Sequence, residues 1–192
     1  KDDMSRYSVN INLSPSFFDD HLRLNMNGKG TWNNTNWGDT GAIYGASVYN
    51  PTWSVYDESS IYGGYTEVTD PNGNTVTGAQ PNPLGRVLQR TDNGKAYRLI
   101  GNVDADYRIH ALPELRLHLT GGYDYSEGNG IVYVPAEAYS NYNISGYDYS
   151  YGPQKNYNRL FTFYANYNKT FDDINSSLDL TAGYDYQFWT RT

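Results

Sequence analysis

Between Leu115 and Ser126 the chain reads LRLHLTGGYDYS, and its residues fall into two interleaved sets. Leu115, Leu117, Leu119, Gly121, Tyr123 and Tyr125 are apolar or aromatic, whereas Arg116, His118, Thr120, Gly122, Asp124 and Ser126 are polar or small. A period of two is that of a β-strand, because successive side chains point to opposite faces of the sheet. A helix would scatter the leucines around its circumference. The segment therefore reads as a strand with one dry face and one wet face, and the open question is what covers the leucines.

The pattern recurs along the chain. Tyr7, Val9, Ile11 and Leu13 alternate with serine and asparagine, and Leu22, Leu24, Met26, Gly28, Gly30 and Trp32 with Arg23, Asn25, Asn27, Lys29 and Thr31. Similar runs lead through Leu99 and Val103, through Phe161 and Phe163, and through Leu178 and Leu180. Six strands are expected, near residues 4–13, 21–32, 95–109, 115–126, 156–171 and 176–189. Their connections alternate in length. Ser14–Asp20, His110–Glu114 and Asp172–Asn175 are short, and residues 33–94 and 127–155 form long loops. The expected fold is all-β, an up-and-down antiparallel meander of about six strands whose long loops share one end.

Loop lengths sorted in this way are characteristic of outer-membrane barrels, which have short periplasmic turns and long extracellular loops. Aromatic residues of the apolar face gather at the long-loop end, at Trp32, Tyr97, Tyr123, Tyr125, Tyr157, Tyr184, Tyr186 and Phe188. Tyr107, Tyr167, Phe17, Phe18 and Phe171 lie toward the short turns, with aliphatic residues between the two groups. Two aromatic belts around an aliphatic band match a bilayer, where amphipathic rings settle at headgroup level. The competing reading, a soluble sheet with one wet face, explains alternation equally well but neither the loop sorting nor the belts. The lipid-facing set is then Leu22, Leu24, Met26, Leu99, Val103, Leu115, Leu117, Leu119, Phe161, Phe163, Leu178 and Leu180. The smallest bacterial barrels close with about 8 strands. An open edge in hydrocarbon would leave backbone groups unpaired. Residues 1–192 are thus expected to be an internal segment of a large transmembrane β-barrel. Lys1-Asp2-Asp3 opens the chain without the apolar run of a signal peptide, as such a segment would.

Composition narrows the function. With a net charge of −7 and no Lys/Arg cluster, the chain lacks what a nucleic-acid partner requires. It has no cysteine and no cofactor motif, so neither thiolate metal sites nor cofactors are expected. Asp104, Asp106, Asp179 and Asp185 fall on the wet face as solvated charges rather than as an acid–base pair, and His21, His110 and His118 form no metal motif, so no catalysis is expected. Asp70, Asn72 and Asn74 echo an EF-hand loop, but the position of its bidentate glutamate falls on Pro81; the segment reads as a turn, closing a small hairpin between 65–69 and 75–78. The loops instead concentrate aromatic residues. Trp37, Tyr44, Tyr49, Trp53, Tyr56, Tyr62 and Tyr65 crowd the first, and Tyr133, Tyr139, Tyr142 and Tyr147 the second, with Tyr149 and Tyr151. Flat rings and neighbouring amides suit a substrate surface or a protein contact.

The first long loop carries ASVYNPTWSVYD (Ala46–Asp57), then the hairpin, then PNPLGRVLQ (Pro81–Gln89). A short helical turn around Ala42–Tyr49 leads into Asn50-Pro51. This arrangement resembles the SusC/RagA-like TonB-dependent outer-membrane transporters of Bacteroidetes, although the proline of their "PVY" element is here Ser54. The likeness spans most of the chain, and its specific part is the loop. It implies a barrel of about 22 strands with a plug. It further implies a bacterial outer-membrane location, a SusD-like surface lipoprotein over the mouth, and TonB-driven import of glycans or peptides. TonB would engage through the plug region, which these residues do not contain. Two other functions fit the strands alone: a plain porin or adhesin barrel without energised import, and a secreted soluble glycan-binding β-protein.

Overall fold

A computed structural model describes residues 2–139 and 146–192. The described residues form β1 (Asp3–Leu13), β2 (Ser16–Phe17), β3 (Leu22–Asn36), α1 (Gly41–Val48), α2 (Pro83–Leu88), β4 (Thr91–Arg108), β5 (Leu115–Val134), β6 (Tyr147–Phe171) and β7 (Ser176–Arg191). All seven strands belong to one sheet in the order β1-β3-β4-β5-β6-β7, with the short β2 paired to β3. Each long strand lies beside the next in the chain, which makes the sheet the up-and-down meander that alternation predicts.

Register carries the period of two across the sheet. Between β6 and β7, Phe161 faces Tyr186, Phe163 faces Tyr184 and Tyr167 faces Leu180. Thr162 opposite Asp185 and Asn166 opposite Thr181 occupy the other side. Residues paired in this way share a face. Arg159 accordingly lies on the apolar face opposite Phe188, and Leu160 and Tyr164 lie on the polar one.

The strands run beyond the bounds that alternation suggests. β5 continues to Val134 and β6 begins at Tyr147, so the second long connection shrinks from residues 127–155 to 135–146. The glycines at 128 and 130 look like loop residues, yet Gly130 lies in the strand beneath a neighbouring ring. A Cβ there would come within 2.3 Å of the Tyr151 side chain. Gly94 in β4 is covered in the same way by Trp37, whose ring would meet a Cβ at 2.6 Å. An aromatic ring laid over a strand glycine replaces the packing that the missing side chain would supply. In the first connection, the expected hairpin reduces to a single bridge between Thr69 and Thr75, and α2 forms where no helix is foreseen.

The chain divides into two compact units. The loop unit comprises Lys1–Ser5, Asn33–Lys95 and Asn129–Gly152; the sheet unit comprises Arg6–Trp32, Ala96–Gly128 and Pro153–Thr192. Among the described residues, the buried apolar side chains Ala42, Tyr62, Val134, Ala138 and Tyr139 all belong to the loop unit. The sheet unit is a single layer whose apolar face stays bare, with Ile11 57% and Leu180 56% exposed. A water-soluble sheet buries such a face against a second layer; a barrel wall presents it to lipid.

Candidate functional site: the aromatic loops and the polar sheet face

The loop unit is organised around Asn82, whose side chain is fully buried. Asn82 precedes Pro83 as the N-cap of α2, and its Oδ1 accepts hydrogen bonds from the Leu84 and Gly85 amides at 3.0 and 3.2 Å. Asparagine at the cap followed by proline in the first turn is a strong helix start, because proline forfeits only an amide that would lack a partner there. The Asn82 Nδ2 donates to the carbonyls of Val55 (2.8 Å) and Thr66 (3.1 Å) and reaches Tyr49 Oη at 3.4 Å. One side chain thus starts a helix and fastens two distant loop segments to it.

Glu67 Oε2 accepts the Asn82 amide at 2.8 Å. Burial pushes this carboxyl up to about 7 from its ordinary 4.5, against the opposing pull of the Asn82 hydrogen bond. The folded unit therefore binds this proton more tightly than the unfolded chain does. Its contribution to stability is present below pH 4.5 and is lost as pH rises toward 7. Glu67→Gln should flatten this dependence and stabilise the unit at pH 8 by about 1–2 kcal/mol, after allowance for solvent screening. Hydrogen exchange across the loop at several pH values measures it, and an unchanged pH profile in the variant would contradict the assignment.

The aromatic candidates separate by environment. Tyr62 and Tyr139 are buried and meet edge to face at 5.2 Å. The Tyr62 hydroxyl donates to Gly73 O (2.9 Å) and that of Tyr139 to Val68 O (2.9 Å), so these two pin the turn at Asp70–Asn74. That turn is tied internally, since the Asp70 carboxylate accepts the Asn72 and Asn74 amides, both at 2.8 Å. Tyr65 packs on Gly85, where a Cβ would meet its ring at 3.0 Å. Tyr49 and Trp53 form an edge-to-face pair at 6.0 Å, and Tyr56 leans on Tyr65 at 5.7 Å. Tyr44 (63%), Tyr56 (58%), Trp37 (46%), Tyr133 (44%), Trp53 (43%) and Tyr147 (43%) keep exposed surface. Tyr142 lies outside the described residues.

Two features escape a reading of the sequence. Tyr147, Tyr149 and Tyr151 form a ladder with ring centroids 6.2 Å apart. The ladder borders a cavity of about 570 Å³ that also receives Arg86 and Arg90. Arg86 pairs with Asp39 at 2.6 Å and Arg90 with Asp92 at 2.7 Å. Alternate tyrosines signal the ladder in the sequence, but nothing local places the arginines beside it. On the polar sheet face, Trp189 is 76% exposed and borders a second cavity, of about 370 Å³, with Asn156, Asn158, Arg98 and Asp124. Its parity with Phe188 would have assigned it to the wet face.

Cross-strand pairs connect this polar face. Arg98 grips Asp124 with two bonds of 3.0 and 2.7 Å. Thr120 donates to Asp104 at 2.7 Å, Thr162 to Asp185 at 2.5 Å and Asn166 to Asp179 at 2.8 Å. His118 Nδ1 lies 2.7 Å from Asp106 Oδ2, and its ring stacks on Tyr164 at 4.3 Å. Each carboxylate considered as an acid or base holds a neighbour on the face. At the short turns, His21 and His110 stack at 3.8 Å, with His21 Nδ1 on Arg108 O and the Tyr107 hydroxyl on His110 Nδ1. Among the described residues, no group of three or more His, Cys, Asp or Glu is arranged to hold a metal.

The apolar side carries the aliphatic candidates. Leu99 (54%), Val103 (45%), Leu119 (43%), Phe161 (44%), Phe163 (39%), Leu178 (39%) and Leu180 (56%) are exposed. Leu22, Leu24, Met26, Leu115 and Leu117 are partly covered by neighbouring side chains. Trp32 and Tyr97 lie against each other on this face at 5.3 Å, and so do Tyr125 and Tyr157 at 4.9 Å.

No protein-family model matches the chain. It is similar to the TonB-dependent receptor SusC of Bacteroides thetaiotaomicron, with 33% identity over 203 aligned positions that take in 97% of this chain. The chain spans 19% of that relative's length.

Proposed function

The chain belongs to the SusC-like family of TonB-dependent receptors of the bacterial outer membrane, and from that premise we propose that it forms part of the wall and mouth of a nutrient importer. In this reading a SusD-like surface lipoprotein closes over the mouth, glycans or peptides are trapped between the loops and this lid, and TonB drives release by rearranging a plug. The substrate then passes along the polar sheet face. These residues supply a wall and a contact surface and carry out no chemistry.

The observation that carries the proposal is the contrast within the loop unit. Tyr62 and Tyr139 are consumed by packing, whereas Tyr44, Trp53 and Tyr56 expose between 43% and 63% of their surface. Exposed aromatic rings on a framework fixed by hydrogen bonds suit binding, because little conformational entropy is lost when a partner covers them. The triple variant Tyr44→Ala, Trp53→Ala and Tyr56→Ala in the full receptor is expected to reach the outer membrane at the normal level. It should weaken recovery of the lipoprotein, or uptake of the substrate, by at least about tenfold, the scale of a contact hot spot. Unchanged recovery and uptake would refute a binding role for these rings.

A further inference from the structure

Three glycines, Gly28 on β3, Gly101 on β4 and Gly121 on β5, lower the apolar face of the sheet unit into a groove of about 640 Å³. Ile11, Met26, Leu99 and Val103 form its sides. The space above the floor is unfilled, since a Cβ built on Gly28 or Gly121 meets no atom within 4 Å. At the Gly101 position the backbones of β3 and β4 come close, and a Cβ would lie 2.9 Å from Asn27 O.

Arg159 lines this groove and occupies the same face, opposite Phe188. It is exposed and has neither an ion pair nor a hydrogen bond among the described residues. Two of the other charges on this face have partners among the described residues. Glu127 accepts the Tyr125 hydroxyl, and Lys169 lies 3.6 Å from Glu114. A lone guanidinium on a lipid-facing wall is costly at the midplane and inexpensive near the interface. Arg159 meets that condition, because Tyr157, Tyr123 and Phe188 place it in the aromatic belt. A guanidinium at headgroup depth is best matched by phosphate, which it grips with two parallel hydrogen bonds.

We infer that this groove is a lipid site for a phosphorylated outer-leaflet lipid, whose acyl chain lies over the three glycines and whose phosphate sits on Arg159. The inference rests on the outer-membrane reading of the apolar face. Charge complementarity selects an anionic headgroup, and the apolar floor, continuous with the lipid-facing band, selects an acyl chain over a soluble phosphate compound.

The test uses the full receptor, purified from outer membranes in mild detergent, stripped of lipid and titrated with lipid A or dephosphorylated lipid A under native mass spectrometry. Wild type is expected to prefer lipid A by about tenfold, the scale of one charge-assisted contact. Arg159→Gln should erase that preference while leaving dephosphorylated lipid A bound as before. Gly121→Leu, whose Cβ enters open space above the groove floor, should weaken both lipids, and Leu180→Ala, outside the groove, should weaken neither. Equal binding of both lipids by wild type, a preference that survives Arg159→Gln, or a Gly121→Leu receptor that binds like wild type would each overturn the site. A receptor recovered from the soluble fraction would instead overturn the membrane reading beneath it.

Discussion

Asn82→Ala in the full receptor should strip the loop unit of about 3–4 kcal/mol of local stability, the range expected when several buried partners lose one side chain. The substitution leaves the amides of Leu84 and Gly85 without their cap and the carbonyls of Val55 and Thr66 without their donor. Hydrogen exchange should reveal a connected loss of protection from Tyr49 through Gln89. Exchange at β7, on the sheet unit, should not change. Asn82→Asp separates the two functions of the side chain. It keeps an acceptor for the helix but removes both donors and brings a second carboxylate toward Glu67, so its loss should grow between pH 4.5 and 7 as Glu67 ionises. An alanine variant with normal protection would mean that Asn82 fills space without fastening the loop.

Leu119→Lys and Thr120→Lys, at adjacent positions of β5, should differ in cost by about 2–3 kcal/mol. Leu119 is 43% exposed on the apolar face, and where that face meets lipid, as proposed, a lysine there enters hydrocarbon at about 2–4 kcal/mol near the midplane. Thr120 lies on the other face and donates to Asp104, so its lysine meets a carboxylate in a wet setting and should cost at most about 1 kcal/mol. Urea midpoints of the receptor folded in lipid bilayers report the difference. Equal costs would show that the leucine face meets neither hydrocarbon nor a dry core.

The sheet was largely legible in the sequence because its information is local. Alternation from Leu22 to Trp32 and from Leu115 to Tyr125 needs only the two-residue period of a strand. The same rule places Arg159 among aromatics and Trp189 on the wet side. The strand ends were less legible. Gly94 and Gly130 read as breaks until the rings of Trp37, just past the end of β3, and Tyr151, on β6, cover them. In the loop, the Asn82-Pro83 pair carries the local signal of a helix start, whereas the bonds of Asn82 to Val55 and Thr66 have no local signal.

The sequence alone determined which side chains share a face, and with it the meander and the apolar face of the sheet, since parity along a strand follows from backbone geometry. Tertiary structure decided which residues meet: His118 with Asp106 and Tyr164, Arg86 with Asp39, and Arg159 with the groove over Gly28, Gly101 and Gly121. Those meetings depend on register and on closure of the long loop. Both are set by hydrogen bonds and packing between residues far apart in the chain, so no local pattern encodes them.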